Sequence, residues 1–347
     1  MMRNLMLVGT AVTRPDAVGS LYRLRDGGQW EPADGIPRDA AVQAITPHPT
    51  REGLVFAAAR KGLYRSADAG ETWEQIHVTD EQVQFWSVVV SPHDPDVLFL
   101  GTSPVGFYRS GDGGQTWAKC AAEHPERFDI SFGGSRAMRI AFHPTDPQVL
   151  YAASEINGFL VSEDGGRSWR GEPDGLQALA KLPHLKNTEL TDDDTEGMFD
   201  GHSVCTTPAK PDSVFYICRL GIFETTDRGK SFRDLEVGRY APFTYTRDCR
   251  VVADDPKTLY ACFSISSRSE AGALYRSEDL GESWQRADSA IEARSTIMGF
   301  GVHVTDPAGV VTVTRHGQVF YTLDGSQTWT ERQLPEDAGD AFCGAIL

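Results

Sequence analysis

The chain has 347 residues, of which 40% are hydrophobic and 24% charged, a balance typical of a globular protein rather than of a disordered or fibrous one. Its formal net charge of −16 disfavours binding to nucleic acid and to anionic membrane surfaces, because both would repel it. The sequence has no apolar run of about 18 residues, so no membrane-spanning helix is expected.

The first twenty residues do not read as a secretion signal. Charged and polar residues follow a short apolar stretch where a longer apolar core and a small-residue cleavage site would be needed. We therefore expect a cytoplasmic protein. The six cysteines include no CxxC pair and lie mostly in apolar segments, which predicts buried reduced thiols rather than a metal cluster.

A motif of about eleven residues, with the pattern LYRSADAGETW at 63–73, recurs along the chain. Each complete copy has Ser or Thr two residues before a central Asp, usually Gly two residues after it, Ser or Thr four after it and an aromatic residue five after it. Such a turn can satisfy its own backbone amides while the aromatic residue packs against the hairpin. The central aspartates, counting a degenerate first copy, are Asp26, Asp68, Asp112, Asp164, Asp227, Asp279 and Asp324.

These aspartates lie 42 to 63 residues apart, a period that fits one four-stranded propeller blade. Between consecutive motifs the chain shows two β-rich runs separated by a proline turn, as in residues 86–102 and 138–154. The sequence therefore predicts an all-β protein, a seven-bladed β-propeller of four-stranded antiparallel blades forming one domain over residues 1–347. The last segment, DAFCGAIL, is expected to supply the inner strand of the first blade and so close the ring.

On these motifs the chain resembles the Asp-box, or bacterial neuraminidase repeat, propellers. That superfamily includes sialidases, xyloglucan-cleaving glycosidases, sortilin-type receptor domains and photosystem II assembly factors. The resemblance covers nearly the whole chain and implies the propeller fold. It implies no single activity, because the members of the superfamily do unrelated things. The chain also departs from the sialidases, which use six blades and an early Arg-Ile-Pro motif.

The strand order of such a propeller places the Asp boxes and proline turns on one face, so that function is expected at the opposite mouth of the central channel. His48, His93 and His143 lie in proline turns and are therefore expected to be structural. Alignment of the inner strands on their proline turns places one set of residues at the level of the mouth: Trp86, Met138, His202, Arg247 and Met298. Arg139, Ser203 and Asp248 follow one step deeper.

The arginines near this mouth predict a site for a carboxylate or phosphate, since guanidinium groups bind both in a bidentate manner. The candidate ligand-binding residues are Trp86, Arg136, Arg139, Arg219, Arg247 and Arg250. An alternative is that several of these arginines form structural ion pairs with Asp248, Glu155 or Glu196. The candidate catalytic residues, if the protein is an enzyme, are Glu155, His202, Tyr245 and Asp248.

Two long connections, about 118–137 and 170–203, are candidate lids over the mouth. No cofactor is predicted. A divalent cation could bind the acidic run of Asp192, Asp193, Asp194 and Glu196, although a solvated loop is the simpler interpretation.

Three functions remain open from the sequence. The first is binding of an anionic small molecule, acidic glycan or peptide at the mouth. The second is a glycosidase-like hydrolase or a lyase that uses the same mouth. The third is a scaffold for protein assembly. No nucleic acid or membrane partner is expected, and the sequence does not define the oligomeric state.

Overall fold

The computed structural model describes residues 5–25, 28–123, 134–186, 193, 195–252, 255–288 and 290–347. Seven sheets, each built on four antiparallel strands, form a ring, which confirms the predicted seven-bladed β-propeller. The central Asp26 of the first motif lies outside the described residues, as do residues 124–133 of the first long connection and residues 187–192 and 194 of the second.

Blade one combines strands from both ends of the chain. From the channel outward its strands are β29 (Asp340–Ile346), β1 (Leu5–Ala11), β2 (Leu21–Arg25) and β3 (Glu31–Pro32). Blade two contains β4 (Val42–Pro47), β5 (Val55–Ala59), β6 (Gly62–Ser66) and β7 (Glu74–Ile76). Blade three contains β8 (Gln84–Val90), β9 (Leu98–Ser103), β10 (Phe107–Ser110) and β11 (Ala118–Lys119).

Blade four has a fifth strand. Its order from the channel outward is β13 (Arg136–Phe142), β14 (Leu150–Glu155), β15 (Gly158–Ser162), β16 (Ser168–Gly171) and β12 (Ala121–Glu123). Strand β12 pairs parallel with β16. The start of the predicted 118–137 loop therefore forms two strands, β11 at the edge of blade three and β12 at the edge of blade four.

The last three blades repeat the four-stranded order. Blade five contains β17 (Gly201–Thr206), β18 (Val214–Cys218), β19 (Gly221–Thr225) and β20 (Arg233–Asp234). Blade six contains β21 (Tyr245–Val252), β22 (Asp255–Ser264), β23 (Gly272–Ser277) and β24 (Gln285–Arg286). Blade seven contains β25 (Ile297–Val302), β26 (Val310–Thr314), β27 (Gln318–Thr322) and β28 (Thr330–Gln333).

Two short helices interrupt the second long connection: α1 (Pro173–Ala180) and α2 (Glu196–Phe199). Leu176, Leu179 and Phe199 are buried in the hydrophobic cluster that blades four and five share. The described parts of this connection are therefore packed against the propeller through apolar side chains. Short 3₁₀ turns follow at Pro183–Leu185 and Val237–Arg239. None of the helices in the described residues is both long and apolar enough to cross a bilayer.

The six Asp-box turns that the structure describes share one hydrogen-bond pattern. In blade two, Ser66 Oγ donates to Asp68 Oδ1 at 2.7 Å and accepts from the Gly70 amide at 2.8 Å, while Thr72 Oγ1 donates to Asp68 Oδ2 at 2.6 Å. The Gly70 position has positive φ in every described copy, and in blade four a Cβ at Gly166 would lie 2.1 Å from the Phe99 ring. The motif is therefore a structural turn that also seats each blade on its neighbour.

The Asp-box turns and the proline turns lie on the same face, as predicted. Backbone hydrogen bonds join the two turns within a blade, from Ala69 N to Gly53 O in blade two and from Gly165 N to Gln148 O in blade four. The proline-turn histidines bond to this framework. The buried His48 accepts the amides of Thr50 and Arg51 at Nδ1 and donates from Nε2 to the Pro95 carbonyl, 3.0 Å away in the next blade.

The ring closes through β29. This strand pairs antiparallel with β1 from Met6↔Ile346 to Ala11↔Asp340, as the sequence predicted. It also packs against the inner strands of blades seven and two, so that the inner strands form an unbroken circle. Ala345 is 3% exposed there, within the cluster that includes Leu7 and Val42.

Deletion of residues 340–347 should abolish cooperative folding, because it removes the inner strand of blade one.

As a milder test, Ala345→Asp should lower the free energy of unfolding by about 3 kcal/mol or more, since it buries an unpaired charge. The matched control is Ala118→Asp, at an exposed position of the outer strand β11, where a change within about 0.5 kcal/mol is expected. Urea unfolding followed by tryptophan fluorescence measures both, and equal losses would contradict the role of β29 in closure.

Acidification should weaken the fold through His48. Burial lowers the pKa of His48 below 6.5, against the smaller opposing effect of its bond to Pro95. Because the unfolded chain then binds a proton more readily, stability should fall as the pH drops through 6.5 toward the folded-state value. His48→Asn should reduce the loss of stability between pH 7.5 and 5.5, whereas His77→Asn, at a side chain that is 74% exposed, should leave it unchanged. Urea midpoints at both pH values decide this, and an undiminished loss in His48→Asn would refute it.

Candidate functional site at the channel mouth

Every inner strand carries a β-bulge at the same depth in the channel. The ladder register shifts between Phe85 and Ser87, between Ala137 and Arg139, and between Gly201 and Ser203, with equivalent shifts in the other four blades. A bulge adds a residue that has no ladder partner and redirects its side chain. The residues set apart in this way are Gln43, Trp86, Met138, His202, Arg247 with Asp248, Met298 and Phe342. The mouth level deduced from the sequence is therefore this ring of bulges.

Trp86, on blade three, lies between two arginines from neighbouring blades. The Arg136 guanidinium carbon is 4.4 Å from the indole centroid and that of Arg60 is 5.0 Å away, both within cation–π range. Trp86 is only 3% exposed, and its indole N–H has no hydrogen-bond acceptor among the described residues. The ring therefore supports the two arginines and offers little free surface of its own.

Glu155 lies close to arginines from two blades. Arg136 Nη1 lies 2.7 Å from Glu155 Oε2, and Arg247 Nη1 lies 3.7 Å from Oε1. Arg247 also lies 3.4 Å from the Tyr245 hydroxyl. Burial raises the pKa of Tyr245, so its hydroxyl stays protonated at neutral pH and can donate a hydrogen bond.

Blade five contributes a second group of ion pairs. Arg219, in the turn between β18 and β19, donates to Glu196 and to Asp200, each at 2.8 Å. Glu196 is 4% exposed, so its assignment to a solvated acidic loop was wrong for this residue: α2 carries it into a buried pair with Arg219. Asp192 and Asp194 lie outside the described residues, and Asp193 accepts a hydrogen bond from the backbone amide of Thr195.

His202 has acceptors at both ring nitrogens. Nδ1 lies 2.7 Å from the Thr246 carbonyl, and Nε2 lies 3.1 Å from Asp200 Oδ2. Only a ring with a proton on each nitrogen can donate to both. Burial by itself raises the pKa of Asp200, but the charges and hydrogen bonds of His202 and Arg219 hold that pKa well below 3.8.

Glu155, Asp200 and His202 come together closely enough to hold a metal ion, with their candidate ligand atoms within 4.8 Å of one another. The two carboxylates already form ion pairs with arginines, and Nε2 of His202 donates to Asp200. A cation would have to displace these partners. The donor set therefore suits a network of ion pairs better than a metal site.

The structure separates the candidate residues into two levels. Glu155, His202 and Tyr245 lie at the mouth with Trp86, Arg136, Arg219 and Arg247. Asp248, Arg139 and Arg250 form a separate cluster one step deeper: Asp248 is fully buried, 3.1 Å from Arg250 Nε and 3.8 Å from Arg139 Nη2. Burial opposes ionisation of Asp248, but Arg250 and Arg139 lower its pKa, so this carboxylate remains charged and fully enclosed.

Two residues of the mouth were not among the sequence candidates. Asp200 could have been found from its position two residues before His202, just ahead of an inner strand. Arg60 was visible as an arginine of the turn between β5 and β6, but nothing in the sequence indicated that it would reach Trp86 in the next blade.

At the mouth, four arginines face three carboxylates among the described residues. The arginines are Arg60, Arg136, Arg219 and Arg247, and the carboxylates are Glu155, Glu196 and Asp200. Arg60 forms no ion pair with any described residue, and burial lowers its pKa, with the neighbouring Arg136 adding to that effect and the charge of Glu155 opposing it. Arg60 also lines a groove of about 710 Å³ on the mouth face, whose other walls include Gln75, His77 and Gln82.

Comparison with known proteins supports the fold. The sortilin family profile (Sortilin, neurotensin receptor 3) matches residues 61–180. Among solved structures, the GH74 enzyme of Niastella koreensis has a TM-score of 0.61 at 17% identity, covering 84% of this chain and 45% of the enzyme. YCF48 from Cyanidioschyzon merolae has a TM-score of 0.55 at 16% identity, covering 84% of both chains.

A third structure, of YCF48 bound to D1 peptide, has a TM-score of 0.53 at 14% identity, covering 84% of this chain and 80% of that one. This chain spans less than half of the length of the Niastella enzyme. No curated protein sequence matches the chain significantly. At such low identities the similarities establish a seven-bladed β-propeller with GH74 and YCF48 propellers as neighbours, and they carry no site residue across.

Replacing Arg219 should destabilise the protein. Arg219→Met removes the guanidinium group that pairs with both Glu196 and Asp200, which should cost about 3 kcal/mol or more of unfolding free energy. The control is Arg65→Met, which removes the exposed pair with Glu74 and should cost less than about 1 kcal/mol. Urea unfolding at pH 7 gives both values. If Arg219→Met costs no more than the control, the blade-five ion pairs do not hold the mouth together.

Proposed function

We propose that the protein binds an anionic small molecule, or the acidic group of a glycan or peptide, at the mouth of the channel. The observation that carries this proposal is Arg60, a half-buried cation that has no carboxylate partner among the described residues and lines an open groove. A ligand carboxylate or phosphate would supply the missing negative charge through bidentate hydrogen bonds.

Trp86 has a supporting role in this proposal. It holds Arg60 and Arg136 beside each other, although their like charges repel, because the indole attracts both guanidinium groups. The arginines are thereby positioned before the ligand arrives, which reduces the entropic cost of binding. The polar groove beyond Arg60 would contact the remainder of a glycan or peptide.

One structural neighbour, YCF48, has been solved bound to D1 peptide, which is consistent with a peptide ligand. The GH74 neighbours favour the second candidate, a glycosidase-like hydrolase or lyase. For that chemistry the mouth offers Glu155 and Asp200, which bring carboxylate oxygen atoms within 4.8 Å of each other. Glycoside hydrolysis requires one carboxyl group to be protonated, whereas His202 and Arg219 hold the pKa of Asp200 below its usual value.

The scaffold alternative has weaker support. Six large apolar side chains are well exposed among the described residues: Val12, Leu182, Tyr240, Ile265, Val304 and Leu323. Each comes from a different connection, whereas an assembly surface would be expected to gather such side chains into one patch.

Binding can be measured by isothermal titration with glucuronate, N-acetylneuraminate, citrate and tetraglutamate. At least one of these should bind, and Arg60→Met should weaken it about tenfold or more through loss of a charge-assisted contact. The matched control is Arg109→Met, because Arg109 also stacks on an aromatic ring, 6.0 Å from the Phe99 centroid, but lies on the third strand of blade three. Affinity in this control should be unchanged.

Two outcomes would count against the proposal: none of the four acids binds, or Arg60→Met binds as tightly as the wild type. Release of 4-nitrophenol from an acidic glycoside by the wild type, but not by Glu155→Gln, would instead support the hydrolase.

A further inference from the structure

We propose that a small anion with a single negative charge binds inside the channel, below the mouth, between Arg139 and Arg250. The anion could be a halide or a small oxyanion such as formate. This site is distinct from the mouth and does not depend on the function proposed there, because its cations come from the deeper cluster.

The first argument is a shortage of negative charge. Asp248 is the carboxylate that both guanidinium groups approach, and its second oxygen is occupied by Ser203 Oγ at 2.9 Å. Arg250 Nε takes the better position at 3.1 Å, which leaves Arg139 at 3.8 Å, too far for a hydrogen bond. Among the described residues, two positive charges are therefore balanced by one negative charge.

The second argument is that Arg139 has too few hydrogen-bond acceptors for its donors. Its Nη1 donates to the Met138 carbonyl at 3.0 Å, and its buried Nε–H has no acceptor in the described part of the chain. A buried donor without an acceptor costs about 1–3 kcal/mol, so the folded protein would gain stability from a ligand that supplied one.

The third argument is the space available. Arg139 and Arg250 line a cavity of about 330 Å³ in the channel, bounded by Val88, Phe300 and other inner-strand residues. Since a water molecule occupies about 30 Å³ of liquid, the cavity holds roughly ten and can accommodate a halide or formate with its remaining hydration. Because Val88, Phe300 and other apolar side chains form part of its walls, the attraction between the anion and the excess positive charge is stronger there than in open water.

Burial also disfavours the charged form of Arg139. It lowers the pKa of Arg139, and nearby Arg250 and Arg247 lower it further, against the opposing effect of Asp248. An anion beside Arg139 would relieve this repulsion.

The proposal is tested with the full-length protein in potassium gluconate, a bulky and strongly hydrated anion that serves as the reference. Chloride, bromide or formate then replaces gluconate at constant ionic strength while the thermal midpoint is measured. We expect a saturable rise of about 2–5 °C with at least chloride or formate. Arg139→Met should abolish this rise, because it removes the excess charge and leaves the Arg250–Asp248 pair intact.

Arg109→Met is the matched control, because Arg109 also has a buried Nε–H without an acceptor among the described residues but lies on the third strand of blade three, away from this cavity, and it should keep the full response. The proposal is overturned if the wild type shows no saturable rise, or if Arg139→Met responds as the wild type does. A second measurement covers the case in which Arg139→Met fails to fold. Wild-type crystals soaked in bromide should show an anomalous peak between Arg139 and Arg250, and a channel without such a peak would refute the site.

Discussion

Pairing of β29 with β1 is the interaction on which the rest of the structure depends. Each blade of a propeller buries both of its faces against neighbours, so a ring with a gap would expose two apolar faces and two sheet edges. Strand β29 prevents this by serving three blades at once, since it is the inner strand of blade one and packs against the inner strands of blades seven and two. The channel and its mouth exist only when this circle is complete.

The bulges in the inner strands convert the closed ring into a site. Because each strand carries its extra residue at the same depth, seven positions converge on one opening while the ladders on either side stay regular. The side chains at these bulge positions differ widely in chemistry, from Gln43 and Trp86 to Met298. The residues that build the blades and those that could act on a ligand thus lie on opposite faces of the disc, and one set can change without disturbing the other.

Buried charge is the main cost of this arrangement. Arginines at the mouth and in the channel are offset by Glu155, Glu196, Asp200 and Asp248, which explains why most of them are held in ion pairs within the channel region. The offset is incomplete at both levels, since no described carboxylate forms an ion pair with Arg60 at the mouth and Arg139 is poorly paired below it. Fold similarity to GH74 and YCF48 propellers cannot distinguish a substrate from a binding partner here, so the local charge balance is the more informative guide.

The sequence by itself determined the fold, because each Asp box is a local device. Ser66, Asp68 and Thr72 satisfy one another within seven residues, so the motif can be read without knowledge of distant contacts. Repetition of that motif gave the blade count, and the unpaired segment at each end of the chain predicted the closure. The level of Trp86, His202 and Arg247 could likewise be aligned from the proline turns.

Only the tertiary structure decided which charges meet. Glu155 on blade four meets Arg247 on blade six, and Arg60 reaches Trp86 across a blade boundary, contacts that no spacing in the chain encodes. The sequence grouped Asp248 with Glu155 as possible catalytic partners, whereas the fold places Asp248 deeper, enclosed by Arg139 and Arg250. The physical reason is that side-chain pairing in the channel depends on the radial position and tilt of whole blades, which long-range packing sets after each local turn has already been specified.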